Sequence, residues 1–87
     1  MNMGKVSGRL WATAKHDSLS GAKLLIVSLL DNSGKPGPLY EVAYDTVDAG
    51  GGDLVLTVRG SSSKMTPETE RAVIDCAIVG VIDHVER

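Results

Sequence analysis

Few of these 87 residues could do covalent chemistry. The hydroxyl nucleophiles cluster at Ser61, Ser62 and Ser63, behind Gly60, and one thiol stands at Cys76. His16 and His84 are the only imidazole bases, and no G-x-S-x-G elbow frames a serine. A serine run after glycine is ordinary turn chemistry. Cys76 lies in an apolar run and reads as a small buried hydrophobe, since a reactive thiol needs a positive, accessible setting. Two histidines and one cysteine have no metal-ligand spacing. The chain is therefore expected to be no enzyme and to carry no catalytic, metal or cofactor site.

The other stretch that could bind something is Asp48-Ala49-Gly50-Gly51-Gly52-Asp53. Three consecutive glycines lose much backbone entropy on folding, so they belong where the chain needs φ > 0 or a close approach. A phosphate cradle would read GxxxxGK[ST] or GxGxxG and feed a helix. Neither pattern is present, and Asp48 and Asp53 would repel phosphate. This loop instead links strand to strand. Only Leu54 to Arg59 separates it from the Gly60-Ser61-Ser62-Ser63 turn, so two small-residue loops bracket one strand, as if fitted against a ligand or another copy of the chain.

The elements that position these loops follow from alternation. Lys5 to Ala14 has period two, with Val6, Leu10, Ala12 and Ala14 on one side, Trp11 on the mostly polar other, and Gly8 as a bend. Lys15 to Gly21 is a loop. Ala22 to Asp31 is apolar on both faces; its length would also suit a helix, but its Ile-Val-Ser centre favours a buried strand. Asn32 to Pro38 is a breaker-rich connection, Leu39 to Val47 a third strand and Leu54 to Arg59 a fourth. Thr66-Pro67-Glu68-Thr69-Glu70 predicts a helix of one or two turns, with Thr66 as cap, Pro67 at the first position and two Glu at the positive end of the dipole. Ala72 to Val85 is a long final strand with a bulge at Gly80. Five strands and one short helix with distant pairings predict a single all-β domain over 1–87, a small barrel that is closed or nearly so.

Composition narrows the class. There is no Phe, and Trp11, Tyr40 and Tyr44 are the only aromatics, so the core is aliphatic. Nine Lys and Arg against eleven Asp and Glu give a net charge of −2, poor for a phosphate-backbone binder. A lone cysteine fits a reducing compartment. Met1 to Lys5 leads into polar alternation without a signal-peptide pattern, and no apolar run reaches the ~20 residues of a membrane span. A cytoplasmic protein is expected.

One barrel interior cannot hide two apolar faces per strand. Leu25, Val27 and Leu29 on the second strand and Ala77, Val79 and Val81 on the last form the surplus. At ~25 cal/mol per Å² of apolar area, covering a few such side chains is worth several kcal/mol. The surplus should meet another subunit, and Leu25, Val27, Val79 and Val81 are the candidate interface residues; cover by the short helix and long loops is the alternative.

With these residues in view, the chain resembles the EutN/CcmL family of microcompartment shell vertex proteins. The resemblance runs through Val6-x-Gly8-x-Leu10-Trp11-Ala12-Thr13-x-Lys15, Leu19-x-Gly21-x-Lys23-Leu24-Leu25, Ala43-x-Asp45-x-Val47-x-Ala49-Gly50-x-Gly52, Gly60-Ser61-Ser62 and Asp75-x-Ala77-Ile78-Val79-Gly80-Val81-Ile82-Asp83. It departs at Asp48, Asp53 and Ser63-Lys64, where the family often has Gly, Glu and Ala-Arg. It implies an OB-like β-barrel that assembles as a cyclic homo-pentamer, capping shell corners among hexameric shell proteins in a metabolosome or carboxysome. Gly50, Gly51, Gly52, Ser61 and Ser62 are then candidates for the axial opening, and Lys15, His16 and Asp17 form a solvated loop within reach of a neighbouring tile. The rival function for an OB-like barrel is single-stranded nucleic-acid binding, which needs a basic groove with stacking aromatics that this composition does not offer.

Overall fold

In β1 (Asn2–Leu10) of the computed structural model, which describes residues 1–12 and 15–86, Gly4 and Val6 are buried while Met3, Lys5 and Ser7 face outward. The strands are β1, β2 (Leu24–Leu30), β3 (Pro36–Asp45), β4 (Leu54–Arg59) and β5 (Cys76–Val81). They close into a barrel in the order β1-β2-β3-β5-β4. Every pairing is antiparallel except the β3–β5 seam, where only Tyr44 faces Ala77 and Asp45 faces Ile78.

The interior is thin and aliphatic, made of Val6, Leu25, Val27, Ala43, Ala49, Val55, Cys76 and Ile78. Its tightest point is Gly4. A Cβ there would collide with Val27 Cγ1 and lie 2.9 Å from the Ser28 carbonyl, so β1 approaches β2 as only glycine allows.

Both expected irregularities occur. Register shifts between Val6 and Gly8 against β2, making Ser7 the extra residue; it shifts again where Leu56 faces Gly80 and Thr57 faces Ile78, making Val79 extra. β4 has the expected bounds. β3 starts earlier than Leu39, because Pro36 and Pro38 fall where the strand has β2 as its only neighbour and needs no second donor. β1 ends at Leu10, and the last two residues of its expected span, Thr13 and Ala14, lie outside the described residues.

The expected helix at Thr66 is a turn. Thr66 does cap, its Oγ1 accepting from the Thr69 amide at 3.2 Å, and the Glu70 amide donates to the Thr66 carbonyl at 3.0 Å. The segment stops there, since a single turn fixes several residues for very few hydrogen bonds. The helical turns present are 3-10, at Asp17–Leu19 and Gly60–Lys64. β5 also starts later than Ala72: buried Thr69 and Ala72 anchor the connection, and the Ala72 amide is used in a turn to the Thr69 carbonyl.

Candidate assembly surface and its two loops

Pairing decides which face of each strand points inward. Val27 faces Val6 on one side and Glu41 on the other, and Leu25 faces Ala43, all buried. Leu25 and Val27 are thus 2% and 0% exposed inside their own barrel and have no area left to lose to a neighbour. This corrects the expected interface: Leu25 and Val27 share a face of β2, but that face is the inward one and the surplus face is its opposite. A strand apolar on both sides does not encode which side is in; the registers with β1 and β3 do.

The outward face of β2 carries Leu24 and Ile26, both half-buried, opposite Tyr44 and Val42 of β3, with Tyr40 one step further. Leu10 faces Leu24 from β1. Leu10, Tyr40 and Val42 are 40%, 68% and 39% exposed. Together they form a continuous apolar sheet surface that composition alone did not locate. Its signal was the alternation Tyr40-x-Val42-x-Tyr44 opposite Leu24-x-Ile26. On the far side of the barrel Val79 is half-buried at its bulge, and Val81, facing buried Val55, stands 41% exposed at the rim.

The two loops do not converge. Gly50-Gly51-Gly52 precedes β4 and Ser61-Ser62 follows it, so a strand of six residues, roughly 20 Å, holds them at opposite ends of the barrel. The glycine loop is fastened to the barrel floor. Val6 is bonded to the loop twice, its carbonyl accepting from Gly52 N and its N donating to the Asp53 carbonyl, each at 2.9 Å. Asp45, its side chain fully buried, accepts from the amides of Val47 at 3.1 Å and Ala49 at 2.8 Å. Lys23 Nζ lies 3.4 Å from Asp45 and 3.0 Å from Asp48 and donates to the Ala49 carbonyl. These carboxylates hold its ammonium above the ordinary lysine range, chiefly through the hydrogen bond to Asp48. Asp48 and Gly52 adopt φ of 56° and 85°; only the second has the residue that accepts this freely.

At the other end Ser63 is buried and donates Oγ to the Gly60 carbonyl at 2.6 Å, leaving Ser61 and Ser62 exposed. Arg59 reaches back over buried Glu41, whose Oε1 accepts from Thr57 Oγ1 at 2.8 Å. Burial pushes the Cys76 thiol up to about 12, with the Glu41 charge adding to it. Among the described residues no imidazole meets the Ser61–Ser63 turn; the His16 ring lies instead 2.9 Å from the Ser18 hydroxyl.

A closed five-stranded barrel with a greasy outer sheet and small-residue loops at each end is the geometry of a packing unit. The family model described as ethanolamine utilisation protein EutN/carboxysome matches residues 1–83. The chain belongs to the EutN/CcmL family. It is 43% identical over 86 residues to the bacterial microcompartment shell vertex protein GrpN of Rhodospirillum rubrum (strain F11), covering 99% of this chain and 97% of that one. The carboxysome shell vertex protein CcmL of Gloeobacter violaceus is 39% identical, covering 98% and 85%. Its solved structure superimposes with a TM-score of 0.95 at 38% identity, over all of this chain and 90% of the other. The GrpN pentameric microcompartment shell protein superimposes with a TM-score of 0.88 at 42% identity over the full length of both chains. Like these family members, the chain is a structural shell vertex protein, and its place is the shell of a bacterial microcompartment, a body inside the cytoplasm.

Proposed function

We propose that five copies of this chain close into a ring that caps a corner of the shell and carries out no reaction of its own. The observation that carries this reading is the apolar outer sheet of Leu10, Leu24, Ile26, Tyr40 and Val42, too large to leave in water on a chain of this size. A cyclic ring uses a head-to-tail contact between two different surfaces of each copy. The outer sheet of β2 and β3 is one. The β5 side, with Val79 and Val81, is the other. The pentameric relative of matching length supports the ring number, and a sheet of hexameric tiles needs five-fold units to close, which makes hexameric shell proteins the outer partners.

Of the two loops, the serine turn is the better lining for an axial opening. Ser61 and Ser62 present free hydroxyl surface, whereas the Gly50-Gly51-Gly52 loop is tied to β1 through the bond from Gly52 to Val6 and is assigned to the subunit contact. Sedimentation of Ile26→Asp and Val79→Asp tests the pairing of surfaces. Each should fall from ring to single chain with its far-UV spectrum intact. A variant that keeps the wild-type mass removes its surface from the contact.

A further inference from the structure

Beside the glycine loop lies a crevice of about 280 Å³ that the barrel itself leaves unfilled. Val6, Leu25 and Ala49, core residues already buried by their own barrel, lie beneath it, and Gly8, Gly50 and Gly51 form its low walls. We propose that this crevice is a socket for the 82–86 segment of a neighbouring copy, with Val85 as the inserted side chain. The inference rests on the ring reading above and names the contact at one end of the barrel.

The middle glycine is the first argument. Gly52 needs its positive φ, but Gly51 has none, and a Cβ built on it would meet nothing within 4 Å. Nothing within the chain requires glycine there. Gly51 lines the crevice, and without a side chain it keeps that wall low for whatever enters from outside.

The second argument is the segment itself. β5 ends at Val81, and the Ile82 amide makes a last bond to the Leu54 carbonyl at 2.8 Å. Beyond it the described residues have no backbone bond to the rest of the barrel, and Val85 is 41% exposed. Leu54 directly follows the glycine loop, so segment and crevice lie at the same end of the barrel. They flank β4 on different sides, the crevice toward β1 and the segment toward β5. Donor and acceptor at one level on two flanks is what a head-to-tail ring requires.

Charge agrees. Arg9 stands at the rim, its guanidinium 4.1 Å over the Trp11 ring, and among the described residues it has no carboxylate partner. Asp83 and Glu86, on either side of Val85, likewise have no cation among the described residues. Lys23, the other cation at the crevice, is already taken by Asp45 and Asp48, which leaves Arg9 for the incoming carboxylate.

The test is a double variant, Gly51→Cys with Val85→Cys, in the full chain under mild oxidation. The expected result is a ladder of disulfide-linked species on a non-reducing denaturing gel, ending at five copies, while each single variant gives none. Cys76 stays silent because it is buried. Arg9→Glu and Glu86→Arg should each raise the ring's dissociation tenfold or more, and their combination should restore it. A wild-type ring by native mass with no ladder in the double variant overturns the socket and leaves the ring standing. A wild type that is a single chain by native mass overturns both.

Discussion

Two carboxylates of β3, Asp45 and Glu41, are both buried and point into the same barrel, yet they do opposite things. Asp45 is fully used: two loop amides and the Lys23 ammonium converge on it, and through it the glycine loop is tied to β2 and β3. Glu41 is poorly used. Thr57 serves one oxygen, while Arg59 lies 3.2 Å from the other without forming a hydrogen bond to it, so buried Oε2 has an ion-pair partner but no hydrogen bond. Burial of a charge stabilises a fold only when its lone pairs are met. The Asp45 end of the barrel should accordingly be rigid, and the Glu41 end should carry a stability cost.

Four outcomes sharpen or break that contrast, all read at one protein concentration because assembly shifts apparent stability. Asp45→Ala should have the largest effect, about 2–4 kcal/mol in denaturant unfolding, since it strands two buried amides and the Lys23 ammonium. A loss below 1 kcal/mol would mean that the loop is held by its backbone alone. Gly52→Ala should follow at about 1–2 kcal/mol from its left-handed φ, against almost nothing for Gly51→Ala in the single chain. Glu41→Leu should cost less than about 1 kcal/mol or even stabilise, because it removes a buried charge with one oxygen lacking a hydrogen bond and leaves Arg59, its half-exposed ion-pair partner, in water. A loss as large as that of Asp45→Ala would make the two carboxylates equivalent.

The smallest effect is a matter of pH. The Cys76 thiol is raised from 9.0 to about 12, chiefly by burial, so the unfolded chain ionises first as pH rises. Its contribution to stability is whole below about pH 9 and is lost progressively toward pH 12. At neutral pH a maleimide should label native Cys76 far more slowly than the denatured chain. Equal rates would show that the Glu41 end opens freely.

Much of this architecture is legible in the sequence. The alternation in Leu54 to Arg59 fixes β4 to the residue, and Gly8 and Gly80 mark two of the three register shifts, the third falling between Ser28 and Leu30. The lining of the barrel is harder to read. Leu25 and Leu24 differ only in phase, and the registers with strands distant in the chain, which set Leu25 opposite Arg9 and Ala43, decide which turns inward. Thr66-Pro67 carries a correct helix-start signal in a segment too short to propagate it. Gly4 gives no hint of its tight contact, because the β2 backbone that crowds it is more than twenty residues away in the chain. Arg9 reads as outward by simple alternation, yet Ser7, the extra residue at the bulge, turns it to face Leu25 and places it at the crevice.

The most direct measurement is native mass spectrometry of the wild-type chain across a dilution series. A species of five chain masses that persists at low micromolar concentration is the predicted result. A folded single chain at every concentration would contradict the account, because Leu24, Ile26, Tyr40 and Val42 would then rest in water with nothing to cover them.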